Sequence, residues 1–326
     1  MSFQQIQGQD QAKRILQTGL RKDRLSHAYL FAGPSGTGKR QMAVSLAKAV
    51  FCLKGTDDAC GECIECRKVE HYNHPHLYRV EPDGLSIKIG QIRNLQKEFS
   101  LRSDPDQMKI YIIEQADKMT SEAANSLLKF LEEPGSRLMA VLITDNGQAV
   151  LPTIHSRAQY VPFSPLPSEQ MTHMLEAEGH SRVLAKTAAR LASGLDGART
   201  LIQLNAFAEL RTVMIQLAKE ALTANIAEVS ISIQQKVTKT ALSEHLDMLL
   251  DLLLLWFRDM LQAQTESQEQ LVFEDEAAWL KKHTYQYDAA RIVHWMEDVL
   301  AAKKQIRAHV NPQLALERLF IQMKGG

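Results

Sequence analysis

Apolar positions along the chain change their period part-way. Over residues 1–164 short apolar runs alternate with helical patterns. Residues 28–32 form a brief run through Tyr29, Leu30 and Phe31 that ends in a glycine-rich turn. Over 41–50, Met42, Leu46 and Val50 then recur at helical spacing. Residues 109–113 and 140–144 are two further runs, too short for helices and bounded by polar residues, so they predict buried strands. Between them, 121–133 predicts a helix with Ala124, Leu127, Leu128 and Leu131 on one side, ended by Pro134 and Gly135. That apolar side suits a core better than an interface. Strands alternating with helices imply a parallel sheet covered on both faces.

Residues 163–168, with Pro165 and Pro167, break this pattern and predict a linker or hinge. No good strand follows. Residues 169–204 predict a small helical unit, and about 210–323 a run of long amphipathic helices. Leu242, Leu246, Leu249, Leu250, Leu253, Leu254 and Phe257 make a stripe wide enough for a buried bundle helix.

Composition narrows the function classes. Hydrophobic residues are 45% and charged residues 23% of the 326, the balance of a globular protein with real cores. Lys and Arg together equal Asp and Glu at 38 each, which argues against a whole-surface nucleic-acid binder while leaving room for a local basic patch. The N-terminus lacks the apolar and basic regions of a signal peptide. The most apolar stretch, 248–257, is interrupted by Asp251 and falls far short of the ~20 residues that span a bilayer. The expectation is a cytoplasmic protein with no membrane partner.

Gly33, Pro34, Ser35, Gly36, Thr37, Gly38 and Lys39 spell G-x-x-x-x-G-K between a strand and a helix. Glycines let successive N–H groups curl toward phosphate oxygens, the helix N-terminus adds positive potential, and Lys39 would reach the β- and γ-phosphates. The next residue should be Ser or Thr, whose hydroxyl holds magnesium. Here it is Arg40, which cannot ligate the ion and repels it. A hydrolase of this type also wants Asp-Glu at the end of the 109–113 strand; this chain has Glu114 and Gln115. A neutral amide cannot take a proton from water. The expectation is a phosphate cradle that binds ATP or ADP weakly or not at all and does not hydrolyse.

The four cysteines, Cys52, Cys60, Cys63 and Cys66, are spaced C-x7-C-x2-C-x2-C. Clustered thiols in a cytoplasmic chain point to a metal rather than disulfides. Four thiolates suit a closed structural zinc site. An iron–sulfur cluster competes, although Cys66 is not followed by the x3-C-P of the ferredoxin run. His71, His74 and His76 just downstream read as surface or packing residues.

Several segments together resemble the clamp-loader subunits of bacterial DNA polymerase III, within the AAA+ ATPases. Ile6, Gln7, Gly8 and Gln9 resemble the family's adenine-side box, and 27–31 its strand into the phosphate loop. The cysteines sit where the family inserts a zinc module. The run 122–129, followed by Leu131, Glu132, Glu133 and Pro134, is the most distinctive match. Thr144 falls at the family's polar sensor, and Ser156, Arg157 and Ala158 match its Ser-Arg-Cys motif except at the last residue. Residues 311–317 resemble the end of its collar.

The resemblance implies an α/β AAA+ (P-loop) domain over 1–164 with a zinc module at about 50–75, a small helical lid over 165–207, and an all-α collar over 208–326 that drives oligomerisation. The motor subunit keeps Lys-Thr after the loop and Asp-Glu on the strand, and delta subunits lack the loop, the zinc module and the Ser-Arg-Cys motif. The departures here resemble delta-prime subunits, in which the zinc module and Ser-Arg pair persist beside a degenerate ATPase site. Asp196 agrees, standing where nucleotide-binding members carry a sensing arginine; Arg199 is near enough that a shifted alignment weakens the point. The implied partners are motor (tau/gamma) and delta subunits in a hetero-pentamer, the sliding clamp, and primed DNA reached through the assembly, a DNA polymerase holoenzyme. Arg157 is implied as an arginine finger given in trans. Gly33, Gly36, Thr37, Gly38, Lys39, Glu114 and Thr144 are the implied nucleotide-side positions. Two rivals stand beside this reading: an autonomous ATPase using Lys39 and Glu114 with an unusual magnesium site, and a zinc-dependent interaction protein.

Overall fold

Three strands are buried at every residue: β1 (Ala28–Ala32), β3 (Lys109–Ile113) and β4 (Leu138–Thr144). With β2 (Leu77–Val80) and β5 (Gln159–Pro162) they form an all-parallel sheet of order β2-β3-β4-β1-β5. The two edge strands carry mixed exposure and no clean apolar run, which hid them from the periodicity argument. Pro162 ends β5 on the edge, where a missing N–H breaks no ladder. The computed structural model describes residues 2–55, 57–101, 108–132, 137–265 and 271–325.

Alternating side chains divide the sheet's faces. Tyr29 and Phe31 point into one core with Leu16 of α1 (Asp10–Arg21) and Leu46 of α2 (Lys39–Phe51). Ala28, Leu30 and Leu142 point into the other, with Ile92 of α4 (Ile89–Leu101) and Leu127 of α5 (Ser121–Glu132); α3 (Ile64–Glu70) lies between α2 and β2 in the chain. In α5, Ala123, Ala124, Leu127 and Leu131 are buried, so its apolar side is core. The expected terminators Glu133, Pro134 and Gly135 lie outside the described residues.

The chain divides into two compact units, Met1–Leu166 and Pro167–Gly326. The second is helical: α6 (Pro152–His155) closes the first unit's helices, and α7 (Ser168–Ala177), α8 (Arg182–Leu191) and α9 (Leu195–Gln203) open the second. They are followed by α10 (Ala206–Thr223), α11 (Ile226–Ile233), α12 (Leu246–Ala263), α13 (Ala277–His283), α14 (Ala289–Arg307) and α15 (Pro312–Gly325). The stripe expected over 242–257 is interrupted. Leu242 lies in a 3-10 turn, Ala241–His245, and α12 begins at Leu246. Both pieces bury their leucines in one core around Trp256, Phe257 and Trp295. Among the described residues no helix is long and apolar enough to cross a membrane.

Asp259 is fully buried in that core. Its carboxylate accepts the N–H groups of Val272 (2.6 Å) and Phe273 (2.8 Å) and pairs with Arg258 (2.8 Å). Burial pushes its carboxyl above the ordinary range, against the pull of these donors. Asp259→Ala leaves two backbone donors without a partner, each costing about 1–3 kcal/mol. Urea unfolding of the variant should show a loss of about 2–5 kcal/mol; a loss below about 1 kcal/mol would mean that water reaches those donors.

Candidate phosphate loop and metal centre

Parallel register brings three chain segments to the carboxyl edge of the sheet, where α/β folds place ligands. Ala32 of β1 lies opposite Thr144 of β4, and Ile113 of β3 opposite Leu142, so the loop after β1, Glu114 and Thr144 meet. Gly33 donates its N–H to the Thr144 carbonyl (3.3 Å), and a Cβ on it would sit 2.0 Å from the Phe163 carbonyl oxygen. No other residue fits there. Gly38, at φ 86°, turns the chain into α2 in a conformation that L side chains rarely adopt.

The loop's cation is already engaged. Lys39 is 4% exposed, and its ammonium donates to the carbonyls of Gly33 (2.5 Å) and Pro34 (2.6 Å) and pairs with Asp145 (2.8 Å). Three donors meet three acceptors. The Thr37 hydroxyl donates to Pro34 (2.8 Å). The Thr144 hydroxyl donates to Asp117 (2.6 Å) and accepts from the Asn146 N–H (3.1 Å). The cleft that Lys39 and Thr144 border with Gly36 and Gln115 holds about 160 Å³, below the ~300–1,000 Å³ usual for small-molecule sites.

Directly after Lys39, where the sequence pattern expects a hydroxyl, the structure carries a guanidinium. Arg40 pairs with Glu114 (3.2 Å), and Arg79 of β2 takes the same carboxylate oxygen at 2.6 Å. Both guanidiniums lie over the Tyr72 ring, 5.6 and 5.3 Å from its centroid. Tyr72 also accepts from Arg40 (3.2 Å), and this bond, outweighing partial burial, holds the Arg40 guanidinium above its ordinary value. Glu114 is thus shared between two permanent cations. Gln115 follows in a left-handed conformation (φ 52°) and offers no base.

Arg157 follows α6 on the surface. It pairs with Glu132 (2.5 Å) and donates to Thr153 O (3.1 Å) and Ser156 Oγ (3.0 Å), with 37% of its side chain exposed. Ala158 beside it is buried. In the second unit Arg199 is held by Glu178 (2.5 Å) and Asp196 (2.9 Å); the bond from Arg199 keeps the Glu178 carboxyl below the usual carboxylate range.

The four cysteine sulfurs lie within 4.8 Å of one another. Backbone N–H groups point at them: Gly55 and Cys60 to Cys52 (3.2 and 3.4 Å), Cys63 to Cys60 (3.4 Å), Cys66 to Cys63 (3.5 Å). The Cys66 N–H is the largest influence holding the Cys63 thiol down to about 6, while burial pushes Cys66 up to about 12. A second anion in that space needs a cation. Gly55 lets the chain close on itself: a Cβ would lie 2.0 Å from the Asp58 carbonyl oxygen. The cluster could hold a metal ion. Of the nearby histidines, His74 is buried, stacked on Phe51 (3.8 Å between centroids) and paired with Glu65 (3.1 Å), with burial the main cause of its lowered pKa. His71 is exposed and His76 stands edge-on to His74.

The nucleotide-side positions therefore converge, and Arg157 shares no polar partner with them. Sequence reasoning missed Asp145, Tyr72, Arg79, Glu132 and Asp117. Asp145 was findable as an acid directly after a strand end. Tyr72 and Arg79 were not, because Tyr72 lies in the turn after α3 and Arg79 on an edge strand that left no pattern.

Two family models match, described as "DNA polymerase III, delta subunit" over residues 8–167 and "DNA polymerase III, delta subunit, C terminal" over 217–325. DNA polymerase III subunit delta' of Bacillus subtilis is 40% identical over 319 residues, covering 98% of this chain and 97% of that protein. The chain belongs to the delta' family of DNA polymerase III subunits. A gamma/tau subunit from Mycobacterium bovis is 33% identical over 176 residues, 53% of this chain and 30% of the relative. Among solved structures, a gamma-subunit-related protein of Thermotoga maritima is 18% identical at a TM-score of 0.43, covering 97% of this chain and 99% of that one.

The double hold on Glu114 makes a prediction about repair. Arg40→Thr restores the missing hydroxyl, yet Arg79 keeps Glu114 and no base appears at Gln115. The purified variant should show no magnesium-dependent phosphate release above the wild-type background in a coupled assay. Turnover from this single change would mean that Arg40 alone blocks the site.

Proposed function

We propose that this delta' chain serves as a non-hydrolysing arm of a cytoplasmic clamp loader, helping to load the sliding clamp on primed DNA and giving Arg157 to a neighbouring ATPase subunit. The observation that carries the reading is the Arg40–Glu114–Arg79 cluster: a phosphate loop is retained with a protein cation where the metal belongs. In this reading 165–207 is the lid, and 208–326 is the collar that joins tau/gamma and delta subunits in a hetero-pentamer. Arg157 suits the finger role because it is exposed and stands on a surface loop. A guanidinium there would meet charge developing on the γ-phosphate of the neighbour's ATP, an effect of about 10³–10⁵ in rate in related hydrolases.

The four thiolates would hold structural zinc. Tetrahedral Zn–S bonds of about 2.3 Å separate the sulfurs by about 3.8 Å, within reach of the observed cluster. Bound zinc would supply the positive charge that lets all four thiolates coexist; the protein's N–H groups orient them. Elemental analysis should find about one zinc per chain, reduced to near zero in Cys63→Ser. Iron, or no metal after gentle purification, contradicts the assignment.

Loaders reconstituted with Arg157→Ala test the finger. Folding, metal content and assembly should match wild type, since an exposed side chain is removed and its ion pair is worth about 0–1 kcal/mol. ATP hydrolysis and clamp loading should fall by tenfold or more. Arg157→Lys should rescue poorly, lacking the planar fork that meets two oxygens. Wild-type loading by the alanine variant would reduce the chain to a scaffold.

A further inference from the structure

A second cleft lies wholly within the helical unit, apart from the phosphate loop and the cysteine cluster, and holds about 600 Å³, the size of a small-molecule site. Its walls follow from helical spacing. Arg182, Lys186 and Arg190 recur every fourth residue on one face of α8, and Arg258 and Gln262 do so on α12. Four cations therefore line one concavity.

They are not equally compensated. Arg182 pairs with Glu169, Glu176 and Glu274 at 3.1–3.2 Å, and Lys186 pairs with Glu274, so that end is neutralised. At the other end stand two guanidiniums, and among the described residues only Arg258 contacts a carboxylate. Arg258 takes Asp259, whose second oxygen is already held by two backbone N–H groups. Arg190 donates to the Ser168 hydroxyl (3.1 Å). Partial burial, then repulsion from Arg258, holds the Arg190 guanidinium below its ordinary value. Two buried polar atoms here have no hydrogen-bond partner, Arg258 Nε and the Gln262 carbonyl oxygen. A donor and an acceptor are left open beside the Arg190 and Arg258 guanidiniums, a costly arrangement unless something binds.

We infer that this cleft is a binding site for a small phosphate compound, with Arg190 and Arg258 clamping the phosphate and the Gln262 carbonyl accepting from a hydroxyl on the ligand's body. A tetrahedral phosphate has oxygens enough to meet two guanidinium forks at once. None of the lining side chains is aromatic, so no surface is offered for stacking a base. The fit is to a sugar phosphate, whose hydroxyls can meet Gln262, rather than to a nucleobase; pyrophosphate probes the guanidinium clamp alone.

Isothermal titration of the full chain with ribose 5-phosphate and with pyrophosphate tests this, using wild type, Lys39→Ala, Arg190→Ala and Arg258→Lys. Lys39→Ala separates the cleft from the phosphate loop. Arg190 is exposed, so its alanine variant should keep the wild-type unfolding midpoint, and Arg258→Lys keeps a cation beside Asp259. The expected result is one site for at least one probe in wild type and Lys39→Ala, weakened tenfold or more in Arg190→Ala and measurably in Arg258→Lys. Binding lost in Lys39→Ala but retained in Arg190→Ala would put the anion in the loop and overturn the inference. So would silence from both probes at millimolar concentration, or binding of a DNA oligonucleotide with neither probe bound.

Discussion

The approach of Gly33 to the backbone of Phe163 constrains the carboxyl edge of the sheet more than any other contact there. It locks the start of the phosphate loop between β1 and the end of β5, and the Gly33 N–H to Thr144 ties the same point to β4. Strand register then delivers Glu114 from β3 to the loop's far side. Everything built at this edge inherits that geometry, including the parts that no longer suit hydrolysis. A loop so tightly fixed keeps its shape whatever it binds.

What replaces the chemistry is self-satisfaction. Lys39, which should face phosphate, spends its three donors on two loop carbonyls and Asp145. Thr144 is held by Asp117 and Asn146, and one oxygen of Glu114 by two arginines. A ligand entering this cleft must break bonds already made, and a magnesium ion must displace a tethered guanidinium. Arg157 differs in kind: its ion pair with Glu132 is at the surface, where such a pair is easily exchanged for another anion. The inward groups are closed and the outward one is available.

Much of this was legible in the sequence, and the gaps have physical reasons. The three central strands announced themselves because burial on both faces demands continuous apolar runs. The edge strands β2 and β5, half exposed, did not, and with β2 went Arg79 and its role on Glu114. Arg40 and Gln115 were readable as departures from a hydrolase pattern, since a metal ligand and a base are defined by residue type at a fixed position. Their surroundings were not, because Arg79 reaches Glu114, and Tyr72 the two guanidiniums, only through tertiary packing. The cysteine cluster was fully visible, as short chelate spacings bring sulfurs together whatever the surrounding fold. The cleft of α8 and α12 left only a four-residue rhythm of cations, indistinguishable in sequence from a solvated helix face.

In the proposed role the chain contributes to ATP hydrolysis outward through Arg157 and not inward through its own loop. The most direct measurement is the single-turnover ATPase rate of one reconstituted loader carrying, in turn, Lys39→Ala and Arg157→Ala. The account predicts an unchanged rate for the lysine variant and a drop of tenfold or more for the arginine variant. The reverse pattern, with Lys39 required and Arg157 dispensable, would contradict it.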